Sequence, residues 1–282
     1  MSARCLFASD LHGRLDRYRK LVEVVEREQP ALLLLGGDLL PFGDPAGAGG
    51  FLADWLGPHL DGLRARMGAS YPRVMAILGN DDPRVQVSVL GGLEARGLLE
   101  HVHGRRAEAC GFPVYGYACV PPTPFRLKDW ERYDVSRFVD PDSVSPEEGS
   151  RSVPADEDEV RWGTIAGDLG ALAGDADLSR AVFLFHAPPY GSALDRAAID
   201  GRSVDHVPLD PHVGSIAIRR FIESRQPLVT LHGHVHESAR LTGAFCQRIG
   251  RTVCLSAAHD GPELALVSIE LERPEEATRR LL

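Results

Sequence analysis

Nowhere does the 282-residue sequence carry an apolar run long enough to cross a bilayer as a helix. Its opening residues, Met1-Ser2-Ala3-Arg4, lead straight into a strand-like segment without a secretory apolar stretch. A cytoplasmic setting is therefore expected, with no membrane partner. Cysteine is scarce too. The five thiols (Cys5, Cys110, Cys119, Cys246, Cys254) are odd in number and form no C-x-x-C pair, which argues against a disulfide framework or a thiolate zinc site. Positive charge is also short, with 31 Lys and Arg against 40 Asp and Glu for a formal net charge of −9. That balance offers no basic stripe for a long nucleic acid. A phosphate-binding site would need local cations to reverse the field, as bound metal ions do.

What is present describes a globular chain. Hydrophobic residues make up 44% and charged residues 25%, enough to bury a core without a stapling disulfide. One domain over 1–282 is expected, since α/β folds reach this length unsplit. Short apolar runs at 5–8, 31–35, 74–78, 181–185 and 228–231 end abruptly in glycine or polar residues, the pattern of buried strands. Helix-length stretches at 15–28, 51–67, 87–96, 158–172 and 216–225 alternate with them, which predicts an α/β layered fold. Runs at 245–249, 252–256 and 264–271, joined at Gly250-Arg251 and Asp260-Gly261, predict a largely antiparallel second sheet. Two excursions interrupt this order. Residues 125–154, rich in acids, prolines and serines, read as a long surface loop, and 193–213 as a loop carrying Arg202, His206 and His212.

Five polar clusters sit where strand-like runs stop: Asp10-Leu11-His12, Gly36-Gly37-Asp38, Gly79-Asn80-Asp81-Asp82, His186, and Gly233-His234-Val235-His236. Each alone has a bland reading as a turn or a hydrogen-bonded histidine. Together they fall at one end of an α/β sheet, where ligands bind. Carboxylate, amide and imidazole donors without a thiolate point to Mn, Fe, Zn or Ni, and one carboxylate can bridge two cations.

In this order the clusters resemble the calcineurin-like metallophosphoesterase superfamily, from Asp10 to His236. The resemblance implies a four-layer α-β-β-α sandwich of two mixed sheets and two divalent metal ions, with Mn favoured. It implies that Asp10, His12, Asp38 and His236 hold one metal, and that Asp38, Asn80, His186 and His234 hold the other, with Asp38 bridging. A hydroxide between the two cations would attack phosphorus in line with the leaving group.

One position departs from the family pattern. Most members read G-N-H-D or G-N-H-E, whereas here the histidine position is Asp81. Close to two cations, that carboxylate is expected to have a lowered pKa, making it a poor proton donor. It also repels a dianionic monoester more than a monoanionic diester. The substrate expected is therefore a small phosphodiester, nucleotide-like or otherwise. A phosphomonoesterase or protein phosphatase is the alternative within the family, and a non-catalytic scaffold the alternative outside it. The missing proton donor is sought in His206 and His212, and a phosphate contact in Arg196 or Arg202. His232 is expected to pack behind the site and His259 to lie near its rim; His59, His101 and His103 are read as structural.

Overall fold

The computed structural model describes residues 4–43 and 50–282, so Met1, Ser2 and Ala3 lie outside the described residues. The chain runs β1 (Arg4–Ala8), α1 (Leu15–Glu28), β2 (Leu32–Gly36), α2 (Gly57–Met67), β3 (Arg73–Ile77), α3 (Val87–Ala95), β4 (Glu100–His101), β5 (Arg106–Ala109) and β6 (Phe112–Tyr117). It continues with α4 (Glu157–Trp162), α5 (Ile165–Ala173), β7 (Val182–Phe185), the small hairpin β8 (Ser203–Val204) and β9 (Val207–Pro208), and α6 (Ile216–Arg225). Last come β10 (Val229–His232), α7 (Ser238–Thr242), β11 (Cys246–Ile249), β12 (Thr252–Ser256), β13 (Ala265–Glu270) and β14 (Thr278–Leu281).

Two six-stranded sheets result, ordered β14-β13-β1-β2-β3-β4 and β11-β12-β10-β7-β6-β5. The first is parallel from β1 to β4 and antiparallel across β14-β13-β1, and the second is parallel at its centre and antiparallel at both edges. Their central strands are apolar on both faces because each sheet is covered on both: β2 meets β7 and β3 meets β6 between the sheets, and helices lie outside. The α1 helix shows the outer layer's logic. It buries Tyr18, Leu21, Val24 and Val25 along one stripe, with Asp16 in the first turn and Arg27 in the last to suit the dipole. The fold is the expected mixed two-sheet sandwich. Among the described residues no helix is long and apolar enough to cross a membrane.

Three local expectations need correction. The C-terminal strands do not form a sheet of their own. β11 and β12 join the second sheet, where β12 runs parallel to β10, while β13 crosses over to pair antiparallel with β1. Asp260-Gly261 is thus part of a crossover between sheets, and four of the six β13 residues (Ala265, Leu266, Val267 and Ile269) are apolar and buried, which suits a strand flanked on both sides. The helix expected at 158–172 is two helices. The chain is extended at Gly163 and Thr164, and the Asp156 and Thr164 side chains cap α4 and α5 separately.

The 125–154 excursion lacks regular structure but is not a mere surface loop. Trp130 is 1% exposed, and its indole N–H donates to the Asp82 carbonyl at 2.8 Å. Beside it, Lys128 Nζ and Glu131 Oε2 meet at 2.5 Å with both side chains fully buried. Glu131 also accepts the N–H and hydroxyl of Thr123. Removing one partner strands a buried charge, so Lys128→Met or Glu131→Gln alone is expected to cost about 3–5 kcal/mol in urea unfolding. The joint Lys128→Met/Glu131→Leu change should recover most of that loss. A double variant as unstable as the two losses summed would show that the pair is not an energetic unit.

Candidate metal centre

The loops leaving β1, β2, β3, β7 and β10 converge at the carboxyl ends of the parallel strands. Four residues there adopt left-handed backbone: Asp10 (φ 56°), His12 (φ 47°), Asp38 (φ 51°) and His234 (φ 73°). For residues with a Cβ this costs about 1–2 kcal/mol each, and it persists only where surrounding bonds enforce it. Those bonds are present. Asp10, His12 and Gly13 donate their N–H groups to the carbonyls of Gly37, Asp38 and Leu39, zipping the first loop to the second. Asp82 fastens the second loop to the third, accepting N–H bonds from Leu39 (3.0 Å), Leu40 (2.9 Å) and Gly79 (2.9 Å). The buried Arg17 guanidinium holds the first loop from behind, donating to the carbonyls of Asp10 and Gly261 at 2.5 Å each.

Two glycines of the motifs are required by close approach. A Cβ on Gly79 would lie 2.2 Å from Asp38 Oδ1, and one on Gly233 would lie 2.6 Å from Asp10 Oδ2. Backbone must pass where a side chain would displace a carboxylate.

One donor atom each from Asp10, His12, Asp38 and His236 lie within 4.8 Å of one another. His12 Nε2 is 3.1 Å from His236 Nε2, which in turn is 3.2 Å from Asp10 Oδ1. Asp10 Oδ2 is buried without a hydrogen-bond partner among the described residues. Imidazole nitrogens turned toward each other, with an orphaned carboxylate oxygen beside them, fit a divalent cation in donor chemistry. Adjacent to them, His186 Nε2 is 3.1 Å from Asn80 Oδ1 and 3.3 Å from Asp38 Oδ2. The Nδ1 proton of His186 goes to the Gly36 carbonyl at 2.8 Å, which fixes the ring and aims Nε2 inward. The His234 ring is 5.3 Å from that of His186. Asp38 Oδ2 also lies 3.9 Å from His12 Nε2, so this one carboxylate faces both groups.

The electrostatics follow from packing acids and imidazoles together. Burial works against ionising Asp10, but the His236 hydrogen bond and the charges of His236, His186 and His12 hold it below the usual carboxylate range. Asp38 is lowered against burial by His186. Burial also opposes charge on His186 and His236, yet Asp38 lifts the first to about 10, and Asp10 lifts the second to about 9. His234 lacks such a partner; burial and then His186 push it down to about 3.

Asp81 also faces the cluster. Its backbone N–H donates to Asp38 Oδ1 at 3.0 Å, and its Oδ2 lies 3.9 Å from His12 Nδ1. Burial and then the Asp38 charge push its carboxyl up to about 6. The protein's own groups thus act opposite to the lowering expected from cations. The structure does not bring the loop histidines into the cluster. His206 is an exposed residue with left-handed backbone in the turn between β8 and β9. His212 lies elsewhere on the same loop, its Nδ1 2.8 Å from the buried Asp195 carboxylate. Arg196 pairs with Asp200, and Arg202 is exposed. His232 is fully buried, stacked on Phe185 and bonded to Ala187 and Thr230. His259 pairs with Glu263.

Sequence reading placed Asp82 in the third cluster without giving it a role, and missed Arg17 and Trp130. Arg17 left a signal, as a charged residue on the inward stripe of α1 beside Tyr18 and Leu21.

The family profile for calcineurin-like phosphoesterases matches residues 3–238. The chain belongs to that family. Its members are phosphoesterases that use divalent metals, and the cluster of Asp10, His12, Asp38 and His236 is the matching candidate for a metal site. Two solved structures share the fold over the whole molecule. One is 18% identical with a TM-score of 0.61, covering 100% of this chain and 99% of its own. The other, TT1561 of Thermus thermophilus, is 15% identical with a TM-score of 0.59 and the same coverage. No curated protein matches the chain.

Ligation requires neutral imidazole, so a metal taken up by the candidate ligands His186 and His236 would have to displace the protons that Asp38 and Asp10 favour on them. Mn²⁺ affinity should therefore rise with pH up to about 9–10. Calorimetry at neutral pH in buffers of different ionisation enthalpy should detect release of about two protons per protein. Proton-neutral binding would contradict the assignment.

Proposed function

We propose that this protein is a two-metal phosphoesterase that prefers small phosphodiesters, nucleotide-like ones included, and works in the cytoplasm. The observation that carries the reading is the convergence of four donor atoms within 4.8 Å, beside a buried Asp10 oxygen with no other partner. Asp10, His12, Asp38 and His236 would hold one cation. Asp38, Asn80, His186 and His234 would hold the second, with Asp38 common to both. Two such cations, Mn favoured among Mn, Fe, Zn and Ni, supply an ionised water near neutral pH and neutralise phosphate charge.

The chain's own residues account for orientation and selectivity. Gly36, through its carbonyl, keeps His186 Nε2 directed inward, and the Asp81 N–H holds one oxygen of Asp38. The Asp81 carboxylate places a negative charge at the cluster, which disfavours a dianionic monoester more than a monoanionic diester. For the leaving-group proton the candidates are His206 and His212; both stand outside the metal cluster, so either would act only on a substrate that extends to the 193–213 loop, and His212, held by Asp195 at 2.8 Å, is the better fixed of the two.

With matched aryl leaving groups, kcat/KM should favour the diester, and Asp81→His should shift the ratio toward the monoester. Slowing by His212→Gln should grow as the leaving group becomes more basic; a uniform effect would assign His212 to the fold instead. A clear monoester preference in the native protein would sink the diester reading. Asp38→Ala and His236→Ala should each lower turnover by about three orders of magnitude or more, since the metals supply several kcal/mol. Full activity in either would refute the ligand assignment.

A further inference from the structure

A cavity of about 90 Å³ lies between the 125–154 excursion, helix α4 and the segment that follows Asp82. Its walls differ from the metal centre in which hydrogen-bonding groups are left over. Three carboxylates line it, and all are engaged. Asp129 accepts the Arg84 and Ser152 N–H groups and the Ser152 hydroxyl. Glu131 is taken by Lys128 and Thr123, and Glu159 by Arg132.

The donors are not matched in this way. Among the described residues, no carboxylate or carbonyl bonds the Arg84 guanidinium, which only overlies the Trp130 ring at 5.4 Å. Arg151 gives one N–H to the Pro146 carbonyl at 2.7 Å and pairs with no carboxylate among the described residues. His103 accepts the Ala118 N–H on Nδ1 at 2.9 Å, so its proton sits on Nε2. Burial, followed by the charges of His101, Arg84 and Arg132, keeps that ring neutral, with its pKa pushed down to about 3.

Unmatched donors facing a space whose acceptors are occupied select a ligand that only accepts hydrogen bonds. A guanidinium fork suits an oxyanion above all. We infer that this cavity binds a phosphate-type oxyanion through Arg84, Arg151 and the Nε2 proton of His103. In a chain of net charge −9, the lining sets four cations (Arg84, Lys128, Arg132, Arg151) against three engaged carboxylates, a small positive balance carried by Arg84 and Arg151, and none of the three donors is a proposed metal ligand. Its volume suits a phosphate group and not an enclosed nucleotide, so the occupant is free phosphate or a terminal phosphate reaching in. The pocket abuts the loop that carries Asn80 and Asp81, through the Arg84 N–H to Asp129 at 2.7 Å and the Trp130 bond to Asp82.

Calorimetric titration with inorganic phosphate in the presence of EDTA tests this without contribution from cations. Saturable binding is expected in the native protein and equally in Asp38→Ala. Arg84→Met/Arg151→Met should weaken it about ten- to a hundredfold, as loss of charge-assisted bonds does. Arg84→Lys, which keeps charge but loses the fork, should fall between, and His103→Phe should weaken binding should the double variant fail to fold. Sulfate should compete and chloride should not. Tighter binding of AMP than of phosphate would identify a terminal phosphate as the occupant; weaker binding of AMP would identify the free ion. Absence of saturable binding at millimolar phosphate would overturn the inference. So would binding that is lost in Asp38→Ala but kept in the double arginine variant.

Discussion

The carboxylate of Asp82 accepts backbone N–H bonds from two different loops, Leu39 and Leu40 on one and Gly79 on the other. Everything placed at the metal centre by the first sheet depends on that clasp. Leu39 follows Asp38 directly, and Gly79 precedes Asn80, so fixing those N–H groups fixes where these two candidate ligands begin. The second loop in turn supplies the carbonyls that hold Asp10 and His12 in left-handed backbone. A fully buried acid is costly unless its oxygens are satisfied, and three backbone donors satisfy this one. The Asp82 carbonyl adds a further bond, from Trp130, and draws the long excursion onto the same point.

The centre is assembled against its own local preferences. Four candidate ligands sit in disfavoured backbone, Asp10 Oδ2 lacks a partner, and carboxylates lie close enough to raise one another's proton affinity. Protonated His186 and His236 offset part of that repulsion. The sandwich bears the remaining cost because its two sheets bury a large continuous core. Rigid strands aim the residues, and short loops carry them, an arrangement that suits a site needing fixed donor geometry.

Much of this was legible in the residue order. Strand-like runs ending in Asp10, Asp38, Asn80, His186 and His234 marked both the elements and the end of the sheets at which they meet. Periodicity failed where local signals were mixed. β6 contains Pro113 and Gly116, which hid it, and β4 is two residues long. The switch of β13 between sheets is a long-range pairing that sets Cys5 opposite Ile269, and no local pattern encodes it. The family pattern singles out Asp81, but the clasp made by Asp82 shows only in its burial and its three backbone donors. The excursion looked solvated because its acids and serines are satisfied by one another and by backbone, which composition does not reveal.

The partnership of β1 with β13 also sets a timetable. Strand β1 carries the first ligand loop, yet one of its two neighbours lies more than two hundred residues downstream. During synthesis that edge stays open until the crossover from the second sheet has been made. Contacts so distant in sequence close slowly, because a long loop must be ordered before they form. Asp10 is therefore made long before the strand that completes the sheet around its loop.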